Sequence, residues 1–506
     1  MSKPLFTGFK GRHAGVLLHP TALPSRQGAG TLGNEAHAFV DFVADCGLGW
    51  WQVCPLGPTG YGDSPYQSFS VFAGNPYLLD LETLKDASLL VENDLAALRA
   101  LPSKHVDFGL LWEHFHPVLK KAWCAAKNAP TRLAAFGDMR AFRKKNAAWL
   151  EDFALFTALK KHFDGTPWQN WPDNARDHHN AIATHWPQSV KEDADAIVFQ
   201  QFLFFAQWQA LRAYATTRHV RIIGDTPIFV AMDSADAWAH PSLFQLDARG
   251  RPTHVAGVPP DYFSQDGQLW GNPLYNWEQM RNNGYHWWLQ RLRAAFEMFD
   301  AVRIDHFRGF HDYWSIPAGA TARAGQWCAG PGLDFFKTVA ATLGDVLLIA
   351  EDLGELNDGV HALRKATGLP GMAVLQFAFG GDASNLYLPH NHTQDCVVYP
   401  GTHDNNTALG WYTEATENER DHFRIYLGTD GNTPHWDFIR AAFTSPATSA
   451  IIPLQDILGK DATARFNIPG KVGGNWQWRL TLEELAHAHT FLAPTLRKLA
   501  QATGRL

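Results

Sequence analysis

Short apolar runs recur along the chain, each closed by Gly, Pro, Asp or His. They are AGVLLHP (14–20), GWWQVCP (49–55), VRIIGDTP (220–227), FDAVRIDH (299–306), DVLLIAED (345–352), GMAVLQFAF (371–379), CVVYPGTHD (396–404) and SAIIPLQD (449–456). Each is apolar at both odd and even positions, the pattern of a strand buried on both faces. Between most of them lie stretches of helical period, such as WWLQRLRAAFEMF (287–299) and GLDFFKTVAATLG (332–344). Eight buried strands alternating with helices predict an α/β fold of the (β/α)8, or TIM, barrel type. An open doubly wound sheet fits less well, because no GxGxxG follows an early strand.

The second and third runs are about 165 residues apart, too far for one crossover. Residues 86–215 of that gap read as mostly helical, as in VENDLAALRAL and VFQQFLFFAQWQALRAYATT, and predict a helical subdomain inserted into the barrel. After the eighth run about 50 residues follow, with a helical pattern at 482–503, so a C-terminal β-sandwich is not expected.

Composition narrows the function classes. The chain has 506 residues, 46% hydrophobic and 18% charged, enough for a large core. The net charge of −7 is spread without runs, which argues against nucleic-acid or anionic-lipid partners. No apolar segment reaches the length of a membrane span, and MSKPLFTGFKGRHAG has no apolar core of the secretory kind, so a cytoplasmic protein is expected. Cysteines 46, 54, 124, 328 and 396 form no CxxC pair and read as buried reduced thiols. The 20 Trp and 33 Phe are assigned mainly to core.

In such a barrel the C-terminal ends of the strands converge on one mouth. Asp305, Glu351 and Asp404 close the fourth, fifth and seventh runs. Arg303 shares a face with Asp305 by strand alternation, and its guanidinium favours the ionised form. Glu351 has no basic neighbour in sequence, so like-charge repulsion is expected to keep its proton. One ionised and one protonated carboxyl is the division of labour that glycosidic cleavage requires, with Asp404 free to accept sugar hydroxyls. A single strand-end Asp is commonly a cap. Three carboxylates from three strands, with His306 and His403 beside them, are not. A metal site drawn from His306, His311, Asp312, His403 and Asp404 is disfavoured, since no HxH or HExxH spacing occurs and arginines flank the acids. No cofactor is expected either.

Two long loops follow the second and third strands. GPTGYGDSPYQSFSVFAGNPY (57–77) offers Tyr61 and Tyr66 as flat faces for pyranose rings and Ser64 as a polar contact. The second, within 257–277, carries Tyr262, Phe263, Gln268 and Trp270 and is expected to form a lid over the mouth.

With these residues in view the chain resembles the amylomaltases, 4-α-glucanotransferases related to the α-amylase superfamily. The resemblance rests on LLHPTALPS (17–25), PLGPTGYGDSPYQSFSVFAGNP (55–76), IGDTPIFV (223–230), GVPPDYFSQDGQLWGNPLYNW (257–277), FDAVRIDHFRGF (299–310), IAEDLG (349–354), GTHDNNT (401–407), PLQDIL (453–458) and GNWQWR (474–479). It implies Asp305 as nucleophile, Glu351 as acid/base and Asp404 as transition-state stabiliser. It further implies Asp225, Arg303, His306, His403 and Asn475 as sugar contacts, with Ser64, Tyr66, Gln268 and Trp270 along the glucan path. The implied reaction moves a segment of a 1,4-α-glucan to the 4-hydroxyl of glucose or another glucan by a retaining double displacement. The partners are then malto-oligosaccharides and glucose, and the protein a monomer or weak homo-oligomer. Departures from the family pattern are Val71 for Ala, Pro400 for Thr and Asn406 for Asp. An α-glucan hydrolase on the same site and a non-catalytic glucan-binding protein remain as alternatives.

Overall fold

The computed structural model describes residues 4–260, 265–354, 356–471 and 473–506, Tyr61 in its backbone alone. Eight parallel strands, one from each apolar run, form the central sheet: β1 (His13–Leu17), β2 (Trp50–Gln52), β3 (Arg221–Thr226), β4 (Ala301–Ile304), β5 (Leu348–Ala350), β6 (Gly371–Val374), β7 (Cys396–Tyr399) and β8 (Ser449–Pro453). Their order is β6-β7-β8-β1-β2-β3-β4-β5. The seam between β5 and β6 nearly closes the ring with fewer main-chain bonds. Ala350 N donates to Pro370 O at 2.9 Å. Beyond it the side chain of Asp352 takes over, accepting from Met372 N at 2.7 Å and pairing with Arg364 at 3.0 Å.

The barrel strands are buried on both faces, as the apolar pattern requires. Val302, Ile304, Ile349, Val398 and Ile451 are fully buried. Packing leaves no slack at Gly224 in β3, where a Cβ would lie 2.1 Å from the Phe299 ring.

Between β2 and β3 the chain is helical over most of its length, including Phe108–Asn128, Ala147–His162 and Gln188–Thr217. The expected boundary at 215 falls inside the last of these. Its C-terminal half is the crossover helix itself: Trp208 and Leu211 are buried, Trp208 Nε1 donates to Met298 O at 3.1 Å, and Arg212 pairs with Asp300 at 2.8 Å. One hydrophobic core therefore runs from barrel to helices.

The described part of the segment 257–277 includes strand as well as loop. His254–Val258 and Gln268–Pro273 pair antiparallel and join Asp312–Pro317 and Gln326–Ala329 in a four-stranded sheet. Its short strands, half exposed and interrupted by Gly and Pro, lack the doubly buried signature of the barrel strands. Among the described residues no strand follows β8. The cysteine reading needs correction too: Cys46, Cys54 and Cys396 are buried, but Cys124 sits on the exposed face of the helix Phe108–Asn128 and Cys328 is half-buried on the largely exposed strand Gln326–Ala329. Among the described residues no helix is long and apolar enough to cross a membrane.

At the floor of the barrel, where strands begin, Arg505 is 2% exposed and donates to the carbonyls of His13, Phe443, Ser445, Ala447 and Thr448 at 2.8–3.1 Å. It ties the starts of β1 and β8 to the helix Ala493–Ala502.

Candidate active site

The parallel register of β3, β4 and β5 builds the site in two rows. Asp225 lies opposite Arg303, and Arg303 opposite Ile349. One residue past the last rung, Asp305 and Glu351 stand side by side, with Glu351 N donating to Ile304 O at 3.0 Å. Alternation turns both onto the face that carries Arg303.

Arg303 is the hub of the lower row. Its two terminal nitrogens donate to Asp225 Oδ2 at 2.6 Å and to Asp305 Oδ1 at 3.0 Å. The Asp225 side chain is 1% exposed and that of Asp305 28%, so the inner carboxylate supports and the outer one faces the cleft. Asp225 is covered by Tyr66, whose hydroxyl donates to Oδ2 at 2.7 Å. The other oxygen of Asp225 has no hydrogen-bond partner among the described residues.

Glu351 accepts from the main-chain N–H of His306 at 2.7 Å and of Leu353 at 3.0 Å. Loss of solvent pushes its carboxyl up to about 7 against the pull of Arg303, and Asp305 adds to the rise. Repulsion, the expected cause, is thus secondary to burial. Arg303, distant from Glu351 in sequence, reaches it in space across the β4–β5 rung. His306 takes a left-handed backbone (φ 50, ψ 52) to aim its N–H at Glu351, and burial pulls its imidazole down to about 4, so it is neutral.

Asp404 does not close β7, which ends at Tyr399. It sits five residues on, in the turn that Thr402 and Asn405 form by mutual hydrogen bonds. Burial opposes its charge, yet His403 and Asn467 outweigh that and hold the carboxyl well below the usual range. Asn467 Nδ2 donates to Oδ1 at 2.6 Å, and His403 Nε2 lies 3.3 Å from Oδ2. Burial would lower the His403 imidazole, but Asp404 raises it on balance. The His403 ring stacks on Tyr66 at 4.9 Å, and Trp476 packs against both.

Ser64 Oγ accepts from Tyr66 N at 3.3 Å and so shapes the Tyr66 loop. Trp270 Nε1 donates to Gln268 Oε1 at 3.1 Å, and the Trp270 ring meets His306 edge-on at 4.9 Å, bringing the outer hairpin to the end of β4. Asn475 bonds Ile468 N and Lys471 O within its own loop, while its neighbour Trp476 reaches His403. The expected contacts Tyr262 and Phe263, and the Tyr61 side chain, lie outside the described residues.

Sequence reasoning missed Trp476, Asn467 and Arg465. Trp476, 3% exposed with φ 64, carries a strained backbone held by packing, yet nothing local in GNWQWR signals it. No metal-holding cluster of His, Cys, Asp or Glu occurs among the described residues. A cavity of about 840 Å³ between barrel and helices is lined by Tyr66, Asp225, Phe142, Trp149 and Arg291 but by none of the three acids. Converging carboxylates, not cavity size, locate this site.

A barrel mouth with two adjacent carboxyls, one of them lifted by burial to about 7, fits a carbohydrate-active enzyme of the glycosidic-bond type. The comparisons carry this to a family. The model for 4-alpha-glucanotransferase matches residues 18–484. The 4-alpha-glucanotransferase of Thermus thermophilus is 48% identical over 506 residues, covering 98% of this chain and 99% of its own. That of Synechocystis sp. is 44% identical over 499 residues, covering 98% of each. The structure of the amylomaltase from Streptococcus agalactiae in complex with acarbose matches with a TM-score of 0.93 at 37% identity, covering 98% of this chain and 99% of that one. The chain belongs to the 4-α-glucanotransferase family, and its activity is 4-α-glucan transfer.

Proposed function

We propose that the transfer runs as a retaining double displacement on malto-oligosaccharides, with Asp305 as nucleophile, Glu351 as acid/base and Asp404 as stabiliser of the positive charge that develops on the sugar. The observation that carries this reading is the side-by-side placement of Asp305 and Glu351 on adjacent, in-register strands. Parallel neighbours are about 4.8 Å apart, which matches the ~5–5.5 Å carboxyl separation of retaining enzymes better than the ~6.5–9.5 Å of inverting ones. Glu351, held near neutrality, protonates the departing oxygen. It then takes the proton from the incoming 4-hydroxyl, while Asp305 forms and releases the glycosyl ester.

The remaining residues fall into supporting roles. Asp225 and Arg303 orient Asp305 from below. Tyr66 and Trp270 offer aromatic faces, His306 and His403 offer ring nitrogens, and Ser64, Gln268 and Asn475 shape the loops around the bound glucan. The Trp270 hairpin acts as the lid. Preferring a sugar acceptor over water a hundredfold takes about 2.7 kcal/mol in the second barrier, which acceptor positioning and exclusion of water supply. Glucose serves as acceptor, and the protein works in the cytoplasm as a monomer or weak oligomer.

Maltotriose incubation tests the reading. Expected are glucose and a ladder of longer chains with constant total reducing ends; a steady rise in reducing ends overturns transfer in favour of hydrolysis. Asp305→Asn is expected to lower transfer by at least about a thousandfold with the fold intact by circular dichroism. Unchanged turnover in that variant removes Asp305 from the nucleophile role.

A further inference from the structure

Asp404 differs from the other two acids in standing on a loop, so something outside its own strand must hold it. Its main-chain carbonyl accepts from Arg465 Nη2 at 2.6 Å and its carboxylate from Asn467 Nδ2 at 2.6 Å. Arg465 and Asn467 follow the turn Ala462–Ala464 directly, and Arg465 Nε also donates to Asn467 O at 2.7 Å. The Asp404 loop itself runs from Pro400 to the helix Ala408–Glu414. Gln376 N holds Pro400 O, and Gln376 Nε2 holds Asn406 O at 2.7 Å.

Both the loop and the turn are gripped by Gln455 and Asp456, in the short helix Leu454–Ile457 that follows β8. Asp456 Oδ1 accepts from Ala408 N at 2.7 Å, fixing the downstream end of the Asp404 loop. Gln455 Nε2 donates to Ala464 O at 3.2 Å, fixing the turn that delivers Arg465 and Asn467. The pair is 3% and 1% exposed, between Leu454 and Ile457 at 0% and 1%. We infer that Gln455 and Asp456 are positioning residues for Asp404, a clamp that sets its carboxylate from both flanking segments. This rests on the reading of Asp404 as the charge-stabilising acid.

The clamp is chemically costly. Asp456 Oδ2 and Gln455 Oε1 have no hydrogen-bond partner among the described residues, and burial lifts the Asp456 carboxyl to about 7 with the Ala408 N–H opposing. A leucine or methionine at either position would fill the space without an unpaired oxygen. What such a side chain cannot do is accept from Ala408 or donate to Ala464.

The test measures kcat and KM for maltotriose disproportionation in the full chain, with thermal melts alongside. Asp456→Ala is expected to lower kcat about 10- to 100-fold with KM within about threefold, the signature of a displaced reacting group. Asp456→Asn, whose amide oxygen accepts the same N–H, is expected to restore kcat to within about fivefold of wild type. Gln455→Met, which keeps volume and loses the donor, is expected to lower kcat about 3- to 10-fold and decides the matter should Asp456→Ala not fold. Wild-type kcat in Gln455→Met, or Asp456→Asn as impaired as Asp456→Ala, overturns the clamp. Asp404→Asn run in parallel separates the two readings. An inactive Asp404→Asn beside wild-type-like clamp variants sinks the clamp alone, and an active Asp404→Asn sinks the role of Asp404 on which it rests.

Discussion

Glu351 and Asp404 are tuned in opposite directions by their immediate neighbours. Glu351 loses solvent, and its two main-chain N–H donors and the Arg303 guanidinium do not offset that loss, so its proton stays until about pH 7. Asp404 meets His403 and Asn467 and stays charged. Because the proposed mechanism needs Glu351 protonated in the first step and its folded value lies above the ordinary one, kcat/KM is expected to hold below about pH 7. It then falls toward tenfold per unit above it. Glu351→Gln should abolish that alkaline limb along with most of the rate; a limb unchanged in this variant assigns the titration elsewhere. At this scale the sequence was informative where alternation alone decides the outcome, as for Arg303 beside Asp305. It was silent on Asn467 and Asp456, whose partners are brought to them by folding across a long stretch of chain, and on Gln455, whose partner is set by the turn at Ala462–Ala464. It also pointed to the wrong cause at Glu351, since burial of a strand end depends on what the loops later place over it.

Elements explain which parts of the fold were readable. The eight barrel strands are buried on both faces, so each run announces itself without regard to its partners. The outer sheet is made of strands such as QWCA, largely exposed, and was not foreseeable from periodicity. Nor does periodicity mark where an inserted helix becomes a crossover, as Gln188–Thr217 does midway. Within β3 the tight fit of Gly224 against Phe299 makes a local prediction. Gly224→Ala must move the Phe299 ring or the strand, at a cost of about 1–3 kcal/mol visible in urea denaturation. Because Asp225 is the next residue, kcat is expected to fall as well; a variant of wild-type stability would mean that the ring swings aside freely.

Across the whole molecule, the mouth carries chemistry and the floor carries stability. Arg505 supplies at least five carbonyls at the floor, far from the acids, with its charge buried at 2% exposure. Arg505→Ala strands those acceptors and is expected to cost about 3–5 kcal/mol in unfolding free energy while leaving kcat at low temperature near wild type. A parallel loss of kcat would show that floor and mouth are mechanically joined. The ring itself is not uniform: seven of its joins are ladders, and the eighth relies on one main-chain bond and the Asp352 carboxylate.

A hoop riveted at one place parts there first. Deuterium uptake at Ala350 and Met372 should therefore outpace that at β1 and β2, and Asp352→Ala should quicken it by at least about tenfold without touching the far side of the hoop. Glu351, the proposed proton donor, thus sits on the most yielding stave beside the rivet, and a substitution at the adjacent Asp352 is expected to detune it.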